Sequence, residues 1–324
     1  MEWLLDNLRF LLGLLLLMLV VVALLSPFEA MGWWSGWSRR RHGEENWEPE
    51  DAGPVRSDAS HFIVYFTGIA GFAGGSGGTR ESELVQHIAA NLPAQAVIID
   101  DVFPYSVTNN PLNGERPLAR LWDWIDRKRK SKKTPISIYT GLITVRNLFQ
   151  VAVSADARYG PMNNLGVARE VVHSLRRHGY PPDSAMPVTI VCYSGGGQIA
   201  VGSARYLARH LKAPIRVVSL GGVISSDPGL DDVQHLYQLK GSKDVVAPLA
   251  DLLFPGRWRI MAHSAWNRAR REGRITVIDA GAVTHFGRHD YFSRSTHTPS
   301  GISNAQRTAQ LAATAILEAD KLPS

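Results

Sequence analysis

The sequence predicts an α/β domain built on a mostly parallel sheet with helices on both faces, preceded by one N-terminal transmembrane helix. Three observations carry this. Short runs of β-branched and aromatic residues recur along the chain, helical apolar spacing separates them, and the first 25 residues contain an uninterrupted apolar stretch. The composition of the 324 residues, 45% hydrophobic and 20% charged, is that of a globular protein with an added apolar segment. No repeat or low-complexity tract interrupts it. A single cysteine, Cys192, excludes an intrachain disulfide framework and a cysteine-rich zinc site. The net charge of +6 is concentrated in Arg39, Arg40 and Arg41 and in the run Arg127, Lys128, Arg129, Lys130, Lys132 and Lys133. Both clusters adjoin apolar sequence, so an anionic membrane surface is the expected partner and nucleic acid is not.

From the N-terminus, residues 10–25 are all apolar or glycine, and Leu4, Leu5 and Leu8 extend the character backwards. A helix over residues 4–26, at about 1.5 Å per residue, crosses a hydrocarbon core of roughly 30 Å. A cleaved signal peptide would open on a basic region, yet Glu2 and Asp6 outnumber Arg9, and Phe28-Glu29-Ala30 lacks the small residue wanted before a cleavage site. Trp33, Trp34 and Trp37 then suit the headgroup level, and the three arginines place the C-terminal domain on the cytoplasmic side. Residues 1–41 are therefore expected to form a single-pass anchor with its aromatic and basic flank. Residues 42–60, polar and carrying Pro49 and Pro54, read as a linker, and residues 61–324 as one folded α/β domain.

Within that domain the expected strands are residues 61–66, 96–100, 187–193, 215–220, 235–240 and 275–279. Helical patterns fall at 81–91, 196–212 and 303–322, the last of these closing the chain. The interval between Val102 and Pro187 is too long for one crossover. It should hold a helix plus an insertion, within about 104–180, packed over the active edge of the sheet.

The segment Cys192-Tyr193-Ser194-Gly195-Gly196 sits where a strand ends and a helix starts. A tight, strained turn there needs small neighbours so that the serine Oγ stands clear at the sheet's C-terminal edge, and the following helix N-terminus favours negative charge. Cys192 stands where the pattern ordinarily has glycine. A phosphate-binding loop is excluded because no Gly-Lys-Ser/Thr follows. In this setting the chain from Val64 onwards resembles the α/β-hydrolase superfamily. The runs VFPYSVTNNPLNG at 102–114 and SADARYG at 154–160 resemble an uncharacterised membrane-anchored bacterial branch of it.

That resemblance implies hydrolytic chemistry with Ser194 as nucleophile, and a chain order of serine, acid, histidine, each on a loop after a strand. The segment Gly241-Ser242-Lys243-Asp244-Val245-Val246-Ala247-Pro248 resembles the superfamily's acid loop, which makes Asp244 the expected acid; Asp227, Asp231 and Asp232 are rivals that precede the strand. Two histidines, His285 and His289, follow the last strand as candidate bases. His285 is favoured because it is nearer the strand end, and His263 and His297 are expected to be structural. The expected oxyanion donors are the N–H groups of Gly195, which follows the nucleophile, and of Ile69, after Thr67-Gly68. Gly71 to Gly78 would form a lip beside them.

The expected function is a serine hydrolase that cleaves a small-molecule or lipid-like ester through an acyl-enzyme, with neither metal nor cofactor. Acyl transfer, thioester cleavage and peptide cleavage share the same chemistry up to that intermediate. A catalytically silent, membrane-tethered scaffold is the alternative from another class. The basic run at 127–133, ahead of the apolar stretch 136–153, is either a solvated helix face or a membrane-touching lid.

Overall fold

The computed structural model describes residues 47–49, 51–70, 79–105, 136–319 and 322, together with Gly13, Leu17, Val20 and Val21. Apart from those four residues, of which Val20 packs against the core, the anchor over 4–26 lies outside the described residues, as do the arginines 39–41, the Gly71 to Gly78 lip, most of the 102–114 run and the basic run 127–133. Among the described residues no helix is long and apolar enough to cross a membrane.

Six strands form one sheet in the order β2-β1-β3-β4-β5-β6, and every neighbouring pair is parallel. These are β1 (His61–Phe66), β2 (Ala96–Ile99), β3 (Val188–Tyr193), β4 (Ile215–Leu220), β5 (Val233–Gly241) and β6 (Ile275–Gly281). All six strands expected from the sequence are present. The central strands β1, β3 and β4 are buried at every residue, polar His61, Thr189, Arg216 and Ser219 included, because helices cover both faces of the sheet. Side chains alternate between two cores: Phe62, Val64 and Phe66 of β1 face one, while Ile63 and Tyr65 face the other.

Helices α1 (Thr79–Ala90) and α7 (Asn304–Ala319) pack together on one face. The other face is covered by α2 (Ile136–Ala155), α3 (Gly160–Arg177) and α4 (Gly196–Leu211), which pack on one another. Two short helices, α5 (Leu249–Leu253) and α6 (Ala265–Arg271), decorate the crossover from β5 to β6. The strand order reverses between β1 and β3. In an open parallel sheet this opens a crevice outside the carboxyl ends of those two strands, and Thr67 and Ser194 are the residues that follow them.

Among the described residues, the long interval between β2 and β3 holds two helices. α3 lies in the crossover layer against α4, and α2 extends over the edge of the sheet. The stretch from Trp47 to Ser60 is held against the domain. Trp47 stacks on His210 with ring centroids 4.2 Å apart, Arg176 reaches Glu48 at 3.0 Å, and the Gly53 and Arg56 N–H groups donate to the Arg176 and Gly179 carbonyls. Those contacts lie at the C-terminal ends of α3 and α4. Because α4 runs back from the end of β3 to the start of β4, they mark the sheet edge opposite Ser194.

Candidate active site

Ser194 has φ of +53°, a left-handed conformation that a residue with a Cβ adopts only when its surroundings impose it. What imposes it here is a set of hydrogen bonds that β3 and α4 both need. The Ser194 N–H donates to the Leu220 carbonyl of β4, and the Ser194 carbonyl accepts from Gly197 and Val223. Gly196 must be glycine, since a Cβ there would lie 2.9 Å from the Thr67 carbonyl oxygen. The close approach that demands a small residue is thus on the helix side of the serine. Cys192, on the strand side, points into the core, where its thiol donates weakly to the Val218 carbonyl and burial pushes its pKa up to about 12. The departure at Cys192 therefore leaves the turn intact.

Three of the side chains expected from the sequence meet at this edge. His285 Nε2 lies 2.9 Å from Ser194 Oγ, and His285 Nδ1 lies 2.9 Å from Asp244 Oδ2. Ser194, Asp244 and His285 follow β3, β5 and β6, and all three are buried. The other Asp244 oxygen, Oδ1, accepts from the N–H groups of Val246 and Ala247, while Oδ2 also accepts from the Tyr291 hydroxyl. Burial works against the charged carboxylate, but the donors from His285, Ala247 and Tyr291 outweigh it and hold Asp244 below the usual carboxylate range. The imidazole is packed as well as bonded. Tyr193 stacks on it at 5.2 Å and donates its hydroxyl to the His285 carbonyl, and Phe286 covers its edge at 4.5 Å.

His289 is placed elsewhere. It is exposed, with its Nδ1 3.0 Å from Thr296 Oγ1. The rival carboxylates also have other partners: Asp227 caps a 3₁₀ turn and accepts from Gln198, Asp231 pairs with Arg268, and Asp232 lies near Arg205. His263 is exposed, and His297 sits in an isolated bridge with Ser303.

Gly195 opens α4, and the side chain of Ile69 lies directly over it: a Cβ on Gly195 would come within 2.6 Å of Ile69 Cγ2 and 2.7 Å of Val151 Cγ2. The two expected oxyanion donors are therefore neighbours. The loop that carries Ile69 is clamped from both sides. Beneath it, Glu81 of α1 accepts from Thr67 Oγ1 at 2.5 Å and from the Tyr65 hydroxyl at 3.2 Å; burial raises its pKa, and these donors only partly oppose the change. Above it, Asn147 of α2 donates to the Ile69 carbonyl at 2.9 Å, and the Tyr105 hydroxyl donates to the Thr67 carbonyl.

Helix α2 therefore turns its polar residues inward. Arg146, Asn147 and Gln150 are all buried, with Arg146 donating to the Tyr105 carbonyl, whereas Leu148 and Phe149 face outward. The two residues that interrupt the apolar stretch at 136–153 thus serve the interior of the site's edge. Arg80 fastens the histidine loop to α1 through a bidentate pair with buried Asp290.

Tyr291, Glu81 and Asn147 were not identified from the sequence. Each is an ordinary residue in its local pattern, and the partners lie 14 to 78 residues away. Among the described residues, no group of three or more His, Cys, Asp or Glu is placed to hold a metal ion. No family model matches the chain, and no curated protein matches it.

Proposed function

We propose that the chain is a serine hydrolase of the α/β-hydrolase superfamily that cleaves an ester through a covalent acyl-enzyme, with residues 4–26 tethering it to a membrane. The single observation that carries this is the continuous hydrogen-bonded line from Ser194 Oγ through both nitrogens of His285 to Asp244, at the switch point of a parallel sheet. Asp244 fixes the tautomer with the proton on Nδ1, which leaves Nε2 as the acceptor facing Ser194.

In the first half-reaction His285 takes the Ser194 proton as Oγ attacks the ester carbonyl. The resulting oxyanion accepts from the N–H groups of Gly195 and Ile69, each donor contributing about two to three orders of magnitude in rate. Collapse expels the alcohol, which leaves with the proton carried by His285. Water then attacks the acyl-enzyme by the same route, and the acid product and free Ser194 are restored. The left-handed strain at Ser194 is consistent with a side chain held forward for attack.

A fluorophosphonate probe tests the proposal. The folded chain should be labelled at Ser194, and Ser194→Ala should lose both the label and hydrolysis of a short-chain ester by about 10³-fold or more. Its thermal stability should be nearly unchanged, because the side chain is small and fills no core position. A folded parent chain that takes no label would instead make the protein a tethered scaffold.

A further inference from the structure

The acid and base loops both continue into exposed apolar surface. Val245, immediately after Asp244, is 75% exposed, and Phe286, immediately after His285, is 62% exposed. From Val245 the chain runs into α5 and the turn behind it, where Leu252 (69%), Leu253 (61%), Trp258 and Ile260 (83%) also stand in solvent. This is one surface. Trp258 Nε1 donates to the Asp251 carbonyl of α5, and the Phe286 ring touches His285, which bonds Asp244. Exposed apolar clusters of this density mark interaction sites.

The charges on the surface indicate what it meets. Asp251, on α5, is neutralised by Arg257 at 2.7 Å. Lys243, Arg259 and Arg288 are exposed among the apolar side chains and have no ion-pair partner among the described residues. Aliphatic residues, a tryptophan and unpaired cations together are the composition of an interfacial membrane-binding surface.

We propose that residues 245–261 together with Phe286 dock the domain on an anionic lipid bilayer, so that the ester substrate enters the site from the bilayer. The substrate part of this rests on the hydrolase reading; the docking part does not.

The chain can satisfy the geometry. Val20 packs against the core, the contacts at Trp47 and Glu48 lie on the sheet edge opposite the site, and α4, with 16 residues, spans about 24 Å between the edges. Residues 26–46 can reach at most roughly 70 Å when extended. That reach exceeds the domain's own edge-to-edge span, so the length of the linker does not bar the site edge from facing the bilayer.

The test uses the full-length chain in phosphatidylcholine vesicles with and without phosphatidylglycerol. An environment-sensitive fluorophore is placed at Leu252→Cys, at Ile260→Cys, or at Ala94→Cys on the far edge, with Cys192 buried and out of reach of the reagent. Nitroxide-bearing lipid should quench the labels at 252 and 260 in anionic vesicles and leave the label at 94 unquenched. Labels at 252 and 260 that stay unquenched would overturn the proposal, as would shielding that appears without lipid and grows with protein concentration, the mark of a second copy. The double variant Leu252→Glu with Ile260→Glu should hydrolyse a vesicle-borne ester about tenfold or more slowly and a soluble ester at the parental rate. Equal rates on the vesicle-borne ester in parent and variant would also overturn it. Quenching at 252 and 260 in a chain whose Ser194 takes no fluorophosphonate would uphold the docking surface and remove the hydrolase reading alone.

Discussion

The hydroxyl of Tyr291 and the carboxylate of Asp244 lie 2.8 Å apart, and the same hydroxyl accepts from the Gly241 N–H at 2.8 Å. Tyr291 thereby ties the carboxylate to the end of β5. Asp244 draws on four donors: His285 Nδ1, the Val246 and Ala247 N–H groups, and this phenol.

Tyr291→Phe should lower kcat on a soluble ester by about three- to tenfold with KM unchanged, because one of those donors is lost while the others keep the carboxylate charged. It should also cost about 1–3 kcal/mol in stability, since the buried Gly241 N–H loses its acceptor. Steady-state kinetics and urea unfolding measure both. An unchanged kcat with the full stability loss would make Tyr291 purely structural.

The two histidines should separate cleanly. His285→Ala is expected to reduce ester turnover by about 10³-fold or more, whereas His289→Ala, which removes an exposed side chain bonded to Thr296 Oγ1, should stay within about twofold of the parent. A collapse in the His289 variant would move the base.

Glu81 touches none of the three side chains at Ser194, yet it holds Thr67 and Tyr65 below the Ile69 loop. Glu81→Ala should lower kcat by about 10²-fold through loss of one positioned oxyanion donor, and Glu81→Gln, which keeps an acceptor for Thr67, should recover much of it. Fluorophosphonate labelling of Ser194 should slow in the same order. Equal rates in the two variants would show that the carboxylate's hydrogen bonding is not what matters.

Glu170 on α3 offers a pH test of stability. Burial raises its pKa to about 7 despite Arg177 and Arg169 nearby. The folded state thus holds a proton that the unfolded chain releases near 4.5, and stability should fall as pH rises from about 4.5 to 7. Glu170→Gln should remove that slope and raise stability at pH 8 by about 3 kcal/mol, since a folded protein that must give up this proton loses about 1.4 kcal/mol for every pH unit across that window. Melting temperatures of parent and variant at pH 5 and 8 decide it; a variant less stable at pH 8 would refute the assignment.

The sheet is legible in the sequence. Runs such as His61–Phe66 and Ile215–Leu220 are mostly β-branched, aromatic or leucine because parallel strands are covered on both faces, so composition marks them despite His61, Arg216 and Ser219. The position of Ser194 was equally plain, since strand, small residues and helix are consecutive there. Asp244 was expected because its loop, after a strand, resembles the acid loop of the α/β-hydrolase superfamily.

Relationships between distant segments emerged only once the elements were packed. Whether His285 or His289 meets Ser194 depends on a turn in which the Thr284 N–H donates to the His289 carbonyl, and that turn sends the two side chains to different sides. Tyr291, Glu81 and Asn147 find partners 47, 14 and 78 residues away. The inward polar face of α2 reads in the sequence as a mere interruption of an apolar stretch. Local pattern reports how a residue suits its own helix or strand, whereas a buried donor's partner is fixed by the packing of whole elements, which no local window contains.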